Sequence, residues 1–207
     1  MGRITAIEPQ ARHANRFNLY IDNNFALGLS AIVAAKLYVG QLVDASQLVA
    51  IEHEEAFESA REVALRFLES RPRSTMEVRQ RLRKKEITED IAEQVIARLQ
   101  EVGLLDDAAF AQYWVENREE FRPRAGRALK FELRQKGLAS DVIAGIVNTV
   151  DEDESAYRAG LPRAARWRDL DRREFSEKLI AFLARRGFSY QVAKDAAKKL
   201  WDEIHHT

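Results

Sequence analysis

The 207-residue chain contains no cysteine. A disulfide framework and a thiolate metal site are therefore excluded, and the chain suits a reducing compartment without requiring one. Glycine and proline are scarce, at 9 and 4 residues, so few positions interrupt regular structure. No apolar run approaches the roughly 20 residues that span a bilayer. The opening Met1-Gly2-Arg3-Ile4 lacks the apolar stretch of a signal peptide. A soluble, cytoplasmic protein without a membrane partner is expected. Catalytic groupings are missing as well. The histidines are His13, His53, His205 and His206, none at metal-ligand spacing, the last two terminal and expected to be solvated. There is no nucleophile elbow and no phosphate loop, and the carboxylates alternate with basic residues as on ordinary helical surfaces. The expectation is a binding protein and not an enzyme, with no metal and no cofactor.

Charge is abundant but balanced, with 33 Lys and Arg against 33 Asp and Glu. The balance hides a gradient. Residues 1–65 carry 5 basic and 8 acidic side chains, whereas 158–199 carry 12 basic and 5 acidic. Such a split fits a partner for the basic half, and equally fits solvated helices. A hydrophobic content of 46% with 32% charged residues indicates a mainly helical fold.

The first residues depart from that pattern. Ile4 and Ala6, then Phe17, Leu19 and Ile21, then Phe25, Leu27 and Leu29 recur at every second position, the period of strands with one buried face. Asp22-Asn23-Asn24 has tight-turn composition. Two or three antiparallel strands are expected, supported by a short helix capped by Ser30 and stopped at Gly40. Asp44-Ala45-Ser46 opens a further helix.

The remainder is an internal repeat. Glu77–Ile87, Ala128–Leu138 and Lys178–Phe188 align at offsets of 51 and 50. In each, a leucine precedes a basic residue (Lys85, Lys136, Arg186) and an apolar residue follows the helix stop. Gly137 and Gly187 suit a left-handed terminus; Glu86 departs, so the first repeat is expected to end its helix differently. Ile91, Val95 and Leu99 match Val142, Ile146 and Val150, then Val192, Ala196 and Leu200, one face of a following helix. Thr88 and Ser189 read as N-caps, and Ser74-Thr75-Met76-Glu77 as a capping box. Arg71-Pro72-Arg73-Ser74 recurs as Arg122-Pro123-Arg124-Ala125. Phe67 and Trp114 mark first helices; in the third repeat Gly160 and Pro162 are expected to interrupt that helix. The fold class is mainly α: three tandem three-helix repeats forming an elongated array after a small β segment. The expected division is 1–56, 57–107, 108–152 and 153–207.

Candidate contact residues are basic. Arg79 and Arg83 lie one turn apart, and Lys130 and Arg134 are their equivalents; Arg71, Arg73, Arg122 and Arg124 recur in the loops. The third repeat has Ile180 and Ala184 on the stripe, and must use Arg163, Arg166, Arg185 and Arg186 or not bind this way. Such cations suit phosphates or acidic patches. At helix C-termini they also offset the dipole unaided. Trp114 and Trp201 read as core, while Trp167, among Arg163, Arg166 and Arg168, reads equally as a base-stacking platform.

Arg71-Pro-Arg-Ser74 with Glu77 and Leu82, then Gly103-Leu-Leu-Asp-Asp107, Phe110-Ala111, Trp114-Val115 and Arg118, then Gly126, Leu133, Lys136 and Gly137, resemble the RecX family of bacterial RecA regulators. The N-terminal hairpin and Val39-Gly40-Gln41 resemble a segment some members carry. The resemblance implies a modular three-helix-repeat protein that binds RecA filaments on single-stranded DNA and limits recombinase, ATPase and co-protease activities; a monomer is expected. Two other readings stand beside it: non-specific direct DNA binding, and an adaptor for another assembly. The last helix of the first repeat, with Glu89, Asp90, Glu93 and Glu101 against Arg98, argues against major-groove reading and leaves weak DNA contact through the middle helices.

Overall fold

The computed structural model describes residues 1–11 and 13–205, with only the backbone of residue 14. It separates into two compact units. Unit 1 is Met1–Arg73 with Glu77–Leu105; unit 2 is Ser74–Met76 with the chain from Asp106 onward.

The alternating segment forms strands β1 (Gly2–Gln10), β2 (His13–Ile21) and β3 (Asn24–Ser30). A fourth, β4 (Leu42–Val43), pairs antiparallel with the outer edge of β1, where two or three strands were expected. Asp22 and Asn23 turn the β2–β3 hairpin at φ 49° and 64°, the two left-handed residues that match strand twist. Of three register shifts among the described residues of the sheet, two reset the alternation at core positions. One extra β1 residue lies between the pairs Ile4↔Ile21 and Ala6↔Tyr20, so Ile7 joins Ile4 in the core instead of Ala6. An extra β3 residue likewise lies between Leu27 and Phe25. Phe25 is therefore 60% exposed and sits edge-on to Tyr20, while Leu29 is fully buried.

Helix α1 (Ala31–Ala34) is N-capped by Ser30, and Gly40 takes φ 96°. Asp44 and Gln47 form a reciprocal capping box on α2 (Ala45–Leu68). This 24-residue helix runs unbroken through residues 56 and 57. Leu48 and Ile51 join the sheet core, and Phe57, Ala60 and Ala64 join the core of the first repeat. Helices α3 (Thr75–Arg83) and α4 (Glu89–Glu101) complete that repeat. The second repeat is α5 (Asp107–Phe121), α6 (Gly126–Gln135) and α7 (Ser140–Val147); the third is α8 (Glu152–Arg166), α9 (Arg172–Arg185) and α10 (Tyr190–His205). Each repeat owns a separate apolar cluster, centred on Val95 and Leu99, on Phe110 and Leu133, and on Phe175 and Leu183.

All three middle helices end alike. Ile87, Leu138 and Phe188 donate their N–H to the carbonyls of Leu82, Leu133 and Leu183 at 3.3, 3.2 and 3.2 Å. Gly137 and Gly187 occupy the preceding left-handed position at φ 81° and 96°, and Glu86 occupies it at 60°. The first repeat thus ends in the same motif, with a side chain paying the left-handed strain. Glu86→Gly is expected to stabilise the chain by about 1 kcal/mol, read by urea unfolding; a lower midpoint would contradict it. Ser189 Oγ accepts from Val192 N at 3.2 Å, whereas Thr88 occupies the N-cap without a side-chain bond.

Helix α8 is continuous through Gly160 and Pro162, contrary to expectation. Asp151 caps its start by accepting from Asp153 and Glu154, and Ala156, Ala159 and Ala164 are buried. Gly160 lets Leu200 approach so closely that a Cβ there would lie 2.7 Å from its Cδ1. Packing against α9 and α10 holds a helix that propensity alone would break.

Unit 2 contains the same joint twice. In the first copy Thr75 N donates to Asp107 Oδ1 and Ser74 Oγ to the Lys136 carbonyl, both at 2.8 Å. In the second, Gly126 N donates to Glu152 Oε1 at 2.8 Å and Ala125 N to the Arg186 carbonyl at 3.2 Å. Each time a carboxylate in the first turn of a repeat's first helix caps a middle-helix start in trans. The left-handed glycine makes room: a Cβ on Gly137 would lie 2.6 Å from Met76 Cβ, and one on Gly187 3.0 Å from Ala128 Cβ.

Candidate functional site

The basic residues divide by what already holds them. Arg71 grips Glu77 through both terminal nitrogens, at 2.9 and 3.2 Å, and donates to the Pro72 carbonyl. Arg73 donates to the Phe67 carbonyl and Ser70 Oγ, with its guanidinium 4.0 Å from the Phe67 ring centre. Both loop arginines therefore brace the turn before α3. Arg79 is turned towards α4, donating to both Glu93 oxygens at 2.7 and 3.0 Å, and that contact holds the Glu93 carboxyl below its usual range. Lys130 reaches Asn148 at 3.1 Å. Arg83 and Arg134 are exposed and, among the described residues, make no ion pair; so are Arg122, Arg166 and Arg185. The expected stripe therefore divides: its Arg79 end is neutralised and its Arg83 and Arg134 ends are open.

Unit 2 brings four candidates together. Arg186 donates to the Pro123 carbonyl at 3.2 Å, between Arg122 and Arg124. Its guanidinium lies 4.6 Å from the Phe182 ring centre, and that of Arg163 lies 5.1 Å from it. Burial first, and then the charges of Arg124, Arg163 and Arg122, push Arg186 below the ordinary arginine range. Glu132 neutralises one side of this cluster. It accepts from Trp114 Nε1 and Arg118 Nε at 2.8 Å each and pairs with Arg124 at 2.9 Å. The family motif in the sequence includes Arg118 but gives no sign of its partner Glu132, because the two lie 14 residues apart on different helices. Arg127, whose Nε would lie 3.6 Å from a Cβ on Gly187, extends the cluster.

Among the described residues no group of three His, Cys, Asp or Glu is placed to hold a metal. Nor is any helix there long and apolar enough to cross a membrane. His205, expected to be solvated, is exposed and also stacks on Trp201 with ring centres 3.7 Å apart; His206 lies outside the described residues. Trp114 and Trp201 pack against their repeat cores as expected. Trp167 packs edge-on to Phe182 with Arg163 nearby. On α4, Glu89, Asp90, Glu93 and Glu101 are all exposed, an acidic surface. The arrangement offers separate patches of cations on helices, of a kind that meets an anionic or acidic partner.

Comparison with known proteins fits this picture. Residues 2–44 match the regulatory protein RecX N-terminal domain, residues 60–99 the first RecX three-helix domain, and residues 106–145 the second. A regulatory protein RecX of Streptomyces coelicolor is 40% identical over 149 residues, covering 70% of this chain and 79% of that protein. One from Leuconostoc mesenteroides is 30% identical over 199 residues, covering 94% and 74%. A crystal structure of regulatory protein RecX superposes with a TM-score of 0.73 at 24% identity, covering 96% of this chain and all of that one. Sequence, repeat architecture and N-terminal sheet together place the chain in the RecX family of regulatory proteins.

Proposed function

We propose that the chain binds the RecA nucleoprotein filament on single-stranded DNA and restrains its recombinase, ATPase and co-protease activities. Membership of the RecX family carries this reading. The repeats support it, because equivalent modules suit a partner that itself repeats. The chain acts as a cytoplasmic monomer, with modules at 1–56, 57–107, 108–152 and 153–207 and α2 continuous across the first division. The partner-facing cations are Arg83, Arg122, Arg134, Arg166 and Arg185, which no carboxylate of the described residues neutralises. Arg71, Arg73 and Arg79 serve the fold first.

The test is ATP turnover by RecA on single-stranded DNA while the protein is titrated in. Turnover is expected to fall in a saturable way, and inhibition to weaken as salt rises. No inhibition at any ratio, together with tight binding to bare DNA, would overturn the proposal in favour of direct DNA binding.

A further inference from the structure

Helix α10 ends on a side chain whose two ring nitrogens face the same kind of partner. His205 Nδ1 lies 3.0 Å from the carbonyl oxygen of Trp201, one turn back on the same helix. Its Nε2 lies 3.1 Å from the carbonyl oxygen of Arg168, in the loop between α8 and α9. All three residues belong to unit 2. A carbonyl oxygen only accepts hydrogen bonds. A neutral imidazole carries one N–H and one lone pair, so either tautomer turns a lone pair towards a carbonyl oxygen. The imidazolium, with a proton on each nitrogen, donates to both.

The other neighbours favour the same charge state. The ring stacks on Trp201 with centres 3.7 Å apart and planes at 19°, and an indole face attracts a cation. His205 stands in the last turn of the 16-residue helix, where a positive charge meets the negative end of the helix dipole. It is exposed, so burial does not disfavour the charged ring and solvent carries the proton in and out. The charged side chains of the elements that meet here do not oppose it. On the loop, Arg168 lies 3.7 Å from Asp169, and Asp171 follows. At the start of α9, Arg172 and Arg173 line the groove beside Trp201, and Arg173 pairs with Glu177 at 3.0 Å. On α10 itself the neighbours are Asp202 and Glu203, and Glu203 accepts from the Tyr157 hydroxyl at 2.8 Å.

We propose that His205 is a proton-operated latch at the end of the third repeat. Protonated, its ring ties the last turn of α10 to the loop between α8 and α9, bridging two carbonyls while resting on Trp201. Neutral, it keeps one of the two bonds, and the other contact becomes repulsive. Histidine changes charge between about pH 5 and 8, so mild acidification closes the latch. The clasped form holds the proton more firmly than the open one. Its stabilisation is therefore present at the acid end of that window and is lost as pH rises. The loop it holds follows Arg166, an exposed cation of the third repeat. The latch does not depend on the filament reading.

Amide hydrogen exchange on the full chain, read by mass spectrometry near pH 5.5 and near pH 8, tests it. The comparison is with His205→Phe, which keeps a ring for Trp201 and has neither N–H nor charge. Protection of residues 167–171 and 201–205 in the wild type relative to this variant is expected to be about five- to tenfold greater at the lower pH, the scale of one charge-assisted hydrogen bond at an exposed site. Intrinsic exchange rates cancel, because both proteins are compared at the same pH. His205→Gln, also without a titrating group, is expected to show no such change with pH. A stacked imidazolium quenches its indole, so tryptophan emission of the wild type is expected to fall on acidification by more than that of either variant. A protection ratio equal at both pH values, a ratio that grows towards pH 8, or equal emission changes in wild type and variants would each overturn the latch. None of these readings involves RecA, whose turnover assay tests the proposed function separately.

Discussion

Replacing Glu55 with alanine is expected to destabilise unit 1 by about 2–3 kcal/mol, the largest stability effect of any single change considered. Glu55 is 7% exposed and sits where α2 meets the sheet. One oxygen takes Arg16 Nη1 at 2.6 Å and Ser59 Oγ at 2.7 Å; the other takes the Ser30 backbone N–H at 2.6 Å. Alanine strands the Ser30 N–H, and it leaves the part-buried Arg16 guanidinium, 31% exposed, with only Ser59 Oγ and the Gly28 carbonyl. Glu55→Gln keeps shape and one acceptor, so its cost should fall between. The double variant Arg16→Met with Glu55→Leu should recover much of the loss, because it removes both charges together. Urea unfolding reads all three. A cost below about 1 kcal/mol for Glu55→Ala would show that water reaches the pair and that the sheet is not tied to α2 through it.

Glu55 also shows where sequence reasoning ends. Its partners lie 39 and 25 residues away on other elements, and nothing in its neighbourhood distinguishes it from Glu52 or Glu54. What local pattern controls was legible: the β2–β3 turn at Asp22-Asn23, the Ser30 and Asp44 caps, the repeat at 51 and 50, and the left-handed ends at Gly137 and Gly187. What depends on counting across a ladder was not. Each bulge flips side-chain parity, so Ala6 and Phe25 lost the core positions that strict alternation assigned them. Glycine announces a left-handed terminus, whereas Glu86 adopts one because the surrounding motif imposes it. Pro162 misled for the opposite reason, since tertiary packing outweighed a local penalty.

The recurring Arg-Pro-Arg loop illustrates a subtler limit. Recurrence marked it as functional, but a joint between repeats recurs for the same reason a binding site does. In unit 2 the residues that follow the loop, Ser74-Thr75 and Ala125-Gly126, bond to the next first helix and middle helix, and Arg71 and Arg73 brace their own turn. Periodicity alone cannot separate cations that build an array from cations that the array displays. Ion pairing can, and of the five exposed candidate cations it leaves unpaired among the described residues the middle helices display three, Arg83, Arg134 and Arg185.

Reversing those three to glutamate is therefore expected to raise the concentration for half-inhibition of RecA ATP turnover by roughly 10–100-fold, equivalent to about 1.4–2.8 kcal/mol of binding. Each side chain is exposed and has no carboxylate partner among the described residues, so each reversal should cost only about 0.5–1.5 kcal/mol of folding stability, from a negative charge set in the last turn of a helix. Arg79→Glu is a poorer probe. It would set a third carboxylate beside Glu93 and Glu89, which lie 2.7 and 3.6 Å from the arginine, and mix a local structural effect with any loss of contact. Arg83 and Arg134 are equivalents 51 residues apart, whereas the third repeat has Ala184 at that position and Arg185 beside it. Single reversals then reveal how the repeats share the partner. Comparable losses from Arg83→Glu and Arg134→Glu, with a smaller loss from Arg185→Glu, are expected if the first two repeats present like surfaces to like subunits. An unchanged midpoint for the triple variant, with its circular dichroism intact and its thermal transition still cooperative, would remove these side chains from the proposed filament contact.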